Sequence, residues 1–129
     1  LLLENPQARL DGILEDLDAA AAHRRARAWG LAWRAQARQR AGDRKAALRD
    51  FDSALKLKPS WSWPWAWRGR MKIEMEGRRD ALDDLSRSIR LKPAHGEVYA
   101  WRSLARARFG QETLAKIDME HARALGYRP

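Results

Sequence analysis

The tripeptide Ala-Trp-Arg occurs at 32–34, again at 66–68 and again at 100–102, so the chain repeats itself every 34 residues. Other columns keep the same step. Leu57-Lys58-Pro59 returns as Leu91-Lys92-Pro93, and Asp50 returns as Asp84 and Asp118. Laying residues 28–61 over 62–95 without a gap gives 11 identical positions out of 34. A period of this length constrains the fold more than any single motif. Each unit is one supersecondary element too small to bury its own apolar face, so neighbouring units must stack to build a continuous core.

The breakers fall at two places in each period. Gly42-Asp43 and Gly77 lie in mid-unit, and Pro59-Ser60 and Pro93-Ala94 lie at the ends. The segments between them run for about 12 to 15 residues with apolar positions three and four apart. Ala47, Leu48, Phe51, Ala54 and Leu55 form one such series, and Ala81, Leu82, Leu85 and Ile89 another. That is a helical period, and no segment alternates as a strand does. Each unit is predicted to be a helix–turn–helix, and the class is all-α, an α-solenoid of stacked units.

A 34-residue helical pair with Ala-x3-Phe in its second helix and a closing proline resembles the tetratricopeptide repeat (TPR) over nearly the whole chain. Leu31, Ala47, Phe51, Ala54 and Pro59 carry the resemblance in the first unit, and Trp65, Gly69, Ala81, Leu85 and Pro93 in the second. The third is looser, with Tyr99, Gly110, Ala115, Met119 and Ala122, and with Gly126-Tyr127 near the place of the proline. Ile13, Leu17 and Ala20 stand 34 before Ala47, Phe51 and Ala54. Residues 6–25 therefore read as the second helix of a partial repeat, opened by an Asn5-Pro6 N-cap and N1 pair, with Leu1–Glu4 the remnant of a preceding helix. The expected organisation of 1–129 is a single array of repeats at 28–61, 62–95 and 96–129 after that partial one. The resemblance implies about seven helices wound into a right-handed superhelix.

Two columns depart from the repeat's usual pattern. Arg34, Arg68 and Arg102 stand where Leu is usual, and Arg38, Lys72 and Arg106 where Tyr is usual. They lie four residues apart, on one side of the first helix, and need anions. Asp50, Asp84 and Asp118 on the second helices are the expected partners. The predicted result is an Arg–Asp ladder in which the planar guanidinium grips each carboxylate at two points.

In the family the first helices line the ligand groove. Carried onto this chain, the groove positions are Trp29, Ala32, Trp33, Gln36, Gln39 and Arg40; then Trp63, Ala66, Trp67, Arg70, Ile73 and Glu74; then Glu97, Ala100, Trp101, Leu104, Ala107 and Arg108. Five of the seven tryptophans fall there. Exposed aromatic area costs solubility and marks interaction surfaces, and Trp and Arg often dominate interface energies. Packing of Trp33, Trp67 and Trp101 between repeats is the alternative role. Trp65 occupies the family's core position, and Trp61, in the inter-repeat turn, has no assigned role. Chaperone-binding members clamp a C-terminal carboxylate with Lys, Asn and Arg, but the corresponding residues here are Ala32, Gln36, Trp67, Glu97 and Trp101. The clamp is missing, and Glu97 repels a carboxylate. The expected ligand is instead an extended or helical peptide with aromatic, proline or aliphatic anchors and acidic character to meet Arg40, Arg70 and Arg108.

The formal charge of +9 admits a second class, RNA or single-stranded nucleic acid stacked on the indoles. The basic residues, however, are interleaved with acids from Arg9 to Arg128, and the excess of Arg and Ala fits a GC-rich bacterial genome. A third class is an accessory domain that recruits substrate for a modifying enzyme such as a glycosyltransferase. Cysteine is absent, so disulfides and thiolate metal sites are excluded. His23, His95 and His121 are far apart, with no HExxH or glycine-rich phosphate loop, so neither enzymatic activity nor a cofactor or metal is expected. No apolar run approaches the roughly 20 residues of a membrane span, and Leu1-Leu2-Leu3 before Glu4 is too short for a signal peptide. A cytoplasmic protein, excised from something longer since the chain starts at Leu1, is the expectation. Leu114, Ile117 and Leu125 give the last helix, about 111–125, an apolar side with no polar capping helix after it. These residues either pack inward or dock onto a further repeat, another domain or, by self-association through terminal helices, a second copy.

Overall fold

The computed structural model describes residues 5–75 and 78–129. Among these, six α-helices are present: α1 (Pro6–Arg40), α2 (Arg44–Leu57), α3 (Ser62–Ile73), α4 (Ala81–Leu91), α5 (Gly96–Arg108) and α6 (Glu112–Ala124). Consecutive helices pair as α1/α2, α3/α4 and α5/α6, and each pair leans on the next through α2/α3 and α4/α5. Among the described residues no helix is long and apolar enough to cross a membrane.

The helix number corrects the expectation of about seven. Residues 6–25 and 28–40 were expected as two helices, and they form one of 35 residues. The cause is local. The turn at the end of the later units rests on Pro59 and Pro93, whose rings cannot continue a helix, whereas the matching position holds Arg25. From Ala19 to Ala28 every residue except His23 is Ala or Arg, so good helix formers fill the place of the turn. Gly77 and Leu1–Glu4 lie outside the described residues.

The starts of α1 and α2 follow from capping chemistry. Asn5 caps α1, its side chain accepting from the Gln7 amide at 3.0 Å, with Pro6 in the first turn. Asp43 caps α2 by accepting from the Ala46 amide at 3.2 Å. Gly42 makes the tight turn between them with φ +87°, a left-handed conformation that costs other residues a clash at Cβ.

The core is a row of small and medium side chains between the helix pairs. Ala35, Ala47, Phe51 and Met71 form one buried cluster, and Ala66, Ala81, Leu85, Ile89 and Val98 belong to the next. Gly69 sets how closely α3 approaches α4: a Cβ there would lie 2.8 Å from Leu85 Cγ and 3.1 Å from the Ala81 carbonyl oxygen. Trp65 is not a core residue, as its column implied. It is half-buried, donates its indole N–H to the Pro59 carbonyl at 2.9 Å, and has the guanidinium carbons of Arg68 and Arg87 at 5.1 and 5.8 Å from its ring. The polar edge of the indole needs an acceptor, and the inter-repeat turn supplies one.

Candidate functional site

The first helices expose a face built on an alanine column. Ala32, Ala66 and Ala100 are buried and leave room beside them for the indoles of Trp33, Trp67 and Trp101. These rings do not stand alone. Trp29 meets Trp33 edge-on at 5.6 Å, Trp33 meets Trp67 at 5.5 Å, and Trp67 stacks beside Trp63 at 5.9 Å. Trp63 in turn meets Trp101 edge-on at 6.2 Å and His95 at 4.5 Å. Trp61, from the turn before α3, stacks on Trp29 at 4.5 Å and meets Trp67 at 5.9 Å.

Six of the seven tryptophans thus form one connected array running from α1 to α5, and only Trp65 lies outside it. Offset and edge-on geometries suit the quadrupoles of the rings, and Trp63, Trp67 and Trp101 are in addition partly buried against the core clusters. Trp29 and Trp33 remain 51% and 47% exposed. Sequence spacing pointed to the ring column on the first helices but not to Trp61. Its stacking depends on the turn folding back over α1, and a lone Trp after Pro-Ser carries no signal of that.

Polar groups surround the array. Arg70 lies over the Trp101 ring with its guanidinium carbon 5.1 Å from the centroid. Beside it a cavity of about 610 Å³ is lined by Trp63, Arg70, His95, Glu97, Trp101 and Tyr127, among others. A second cavity of about 240 Å³ contains Arg70, Glu74, Leu104 and Arg108. Arg108 is partly committed already, since its Nη1 donates to the Ile73 carbonyl at the end of α3 at 2.8 Å. Glu74 stands 3.7 Å from Arg44, an exposed pair. Gln36 Nε2 is buried without an acceptor among the described residues, and Arg40 is exposed at the end of α1. At the far end Trp29 and Trp61 wall a cavity of about 390 Å³ with Arg25 and Lys58. The structure therefore brings Trp29, Trp33, Trp63, Trp67 and Trp101 into one surface with Arg70 on it, and turns Arg108 partly to the backbone.

The Arg and Asp columns lie between first and second helices. Arg34 Nε and Nη2 each donate to Asp50 at 2.8 Å, and Arg38 adds a bond at 2.9 Å. Arg68 grips Asp84 at 2.8 and 2.7 Å, with Lys72 at 3.0 Å. Arg102 grips Asp118 at 2.9 and 2.7 Å, and Arg106 adds a bond at 2.8 Å. The Arg34 hydrogen bonds, followed by the Arg34 and Arg38 charges, hold the Asp50 carboxyl below its ordinary range against the opposing effect of burial. The remaining Nη1 of these arginines reaches back one unit, from Arg68 to Asp52 at 2.7 Å and from Arg102 to the Ser86 hydroxyl at 3.3 Å. The fork thus ties helix to helix within a unit and unit to unit along the array.

A scan against protein-family models gives no match, and neither does a comparison with curated proteins. Among solved structures the chain is similar to the second TPR of Spaghetti (RPAP3), solved bound to the HSP90 peptide SRMEEVD. The TM-score is 0.81 at 19% identity, over 88% of this chain and 98% of that one. The fold is that of a TPR domain. At this identity the likeness rests on the stacking of helix pairs, while the side chains on the exposed face are this chain's own.

Proposed function

We propose that this TPR domain is a non-catalytic scaffold that binds a protein or peptide segment on its indole-lined face. The observation that carries the reading is the connected array of six tryptophans, two of them half exposed, five on the first helices of three successive units and Trp61 in the turn before α3. Rings already ordered against one another lose little entropy on binding, which makes them efficient anchors. The structurally similar TPR was solved with a peptide, which supports a peptide as the class of ligand.

The side chains favour a different peptide from a carboxylate-clamped one. Ala32, Trp67 and Trp101 provide no cation at the clamp positions, and Glu97 places an exposed carboxylate there. Apolar or aromatic anchors fit between indoles, and acidic residues beside them meet Arg70 and Arg40. A peptide display library panned on the chain and read by titration calorimetry tests this, with a Trp29→Ala, Trp33→Ala variant as control. Those two rings are exposed, so the variant keeps its core. Aromatic- or proline-containing acidic peptides that bind the wild type and lose at least about tenfold on the variant support the reading. Equal binding to both would make the indoles packing residues. Binding only to single-stranded nucleic acid, with steep salt dependence, would move the function to that class.

A further inference from the structure

The straight path of α1 leaves two complementary surfaces uncovered in one chain. The segment 6–22 keeps the column pattern of a second helix but runs on into 28–40 as one helix instead of folding back onto it. Leu17 is 61% exposed where its column mates Phe51 and Leu85 are fully buried. The segment 28–40, conversely, is a first helix with no preceding second helix against it. Gly30 and Ala37 are exposed, while their column mates Pro64 and Val98, and Met71 and Ala105, are buried. The Arg34 side chain is 55% exposed against 16% for Arg68 and 15% for Arg102.

The ladder supplies the register. Arg68 reaches back to Asp52 and Arg102 to Ser86 on the preceding second helix, 16 residues earlier in each case. The residue so placed for Arg34 is Asp18. Within one chain the two cannot meet, because they sit about 24 Å apart along the same continuous helix.

We propose that two copies of this chain exchange these segments. Residues 6–22 of each copy lie antiparallel on the Gly30–Arg34–Ala37 face of the other, with Asp18 accepting from the other copy's Arg34. Ala26 is equidistant from 18 and 34, so the two-fold axis passes beside it and the contact is isologous and closed. Leu17 of each copy then enters the position that Phe51 and Leu85 hold in the later units. Arg25 and Arg27 of both copies approach at the axis and repel one another, a cost that solvent limits because these side chains are exposed. The interface uses the α1 end of the array, not the apolar end of α6.

Two measurements on the 129-residue chain decide the matter. Sedimentation equilibrium over a concentration series is expected to show a monomer–dimer equilibrium for the wild type and a monomer for Leu17→Glu. Leu17 is exposed in the single chain, so far-UV circular dichroism should show the variant's fold intact. A wild-type monomer up to about 1 mM, or a dimer unaffected by Leu17→Glu, overturns the exchange. The chain has no cysteine, so an Asp18→Cys, Arg34→Cys variant can be treated with a short bismaleimide. Covalent dimer is the expected product. A cross-link within one chain would mean that α1 bends and closes on itself, and no cross-link would mean that the two positions never meet; either result refutes the proposal.

Discussion

Removing the Asp84 carboxylate tests whether the ladder holds the array together. Its side chain is 4% exposed and receives two bonds from Arg68, at 2.8 and 2.7 Å, and Lys72 Nζ at 3.0 Å. Asp84→Ala leaves Arg68 at 16% exposure and Lys72 at 7%, with only the half-exposed Asp52 and Asp80 to answer them. Breaking a buried pair by taking one partner costs about 3–5 kcal/mol, and the two remaining carboxylates put this case near the lower end, about 3 kcal/mol. Asp50→Ala is the internal control. Its partners Arg34 and Arg38 are 55% and 38% exposed, so water can replace the lost carboxylate, and the loss should be roughly half or less. Urea unfolding followed by far-UV circular dichroism measures both. Adding Lys72→Met to Asp84→Ala removes the most buried stranded cation and should restore part of the stability. If Asp84→Ala costs less than about 1 kcal/mol, or no more than Asp50→Ala, the distinction between buried and exposed rungs is wrong.

The close approach at Gly69 predicts that Gly69→Val overpacks the α3/α4 contact and lowers stability by about 3 kcal/mol, read from the urea midpoint. Gly42→Ala forces φ +87° on a residue with a Cβ and should cost about 1–2 kcal/mol, visible as a lower thermal midpoint with unchanged helix content. Asp50 and Asp80 both titrate below the ordinary carboxylate range, the first chiefly through Arg34, the second chiefly through Arg78 and then Lys72. Their contribution to stability is therefore complete above the unfolded value of about 3.9 and is lost as pH falls through the folded values. Urea midpoints taken from neutral pH downward should hold steady and then drop below about pH 4, and Asp50→Asn should reduce the drop.

The period, the helical class and the Arg and Asp columns were legible because they depend on spacing within one unit. A fork four residues from another cation on one helix, facing a carboxylate on the next, is a local pattern that recurs with the repeat. What the sequence concealed depends on what lies beside a unit. Trp65 fell in a core column, yet the carbonyl that draws its N–H outward belongs to Pro59 in the preceding turn. Trp61 carries no signal of its own because its stacking partner, Trp29, is 32 residues earlier on another helix. The continuity of α1 could have been read: Arg25 stands where Pro59 and Pro93 end their units, and a repeat that lacks its breaker has no reason to turn.

Columns that stay the same from unit to unit and columns that change carry different information. Arg34, Arg68 and Arg102 are alike because each faces the same geometry between two helices, and the bonds at 2.7–2.9 Å to Asp50, Asp84 and Asp118 reproduce it. The alanine column is alike because Ala32, Ala66 and Ala100 are all buried, and a larger side chain there would overpack the core. Beside the indoles, however, Gln36, Arg70 and Leu104 share a column, as do Arg40, Glu74 and Arg108. A polar amide, two signs of charge and an aliphatic chain satisfy the same backbone equally well, so stacking does not choose among them. If the indole array provides the affinity for a peptide, discrimination between peptides falls to these variable positions. An Arg70→Glu exchange would then reverse the preference for acidic ligands while leaving the urea midpoint nearly unchanged, whereas an equal loss of both stability and binding would place Arg70 in the architecture, as a brace on Trp101.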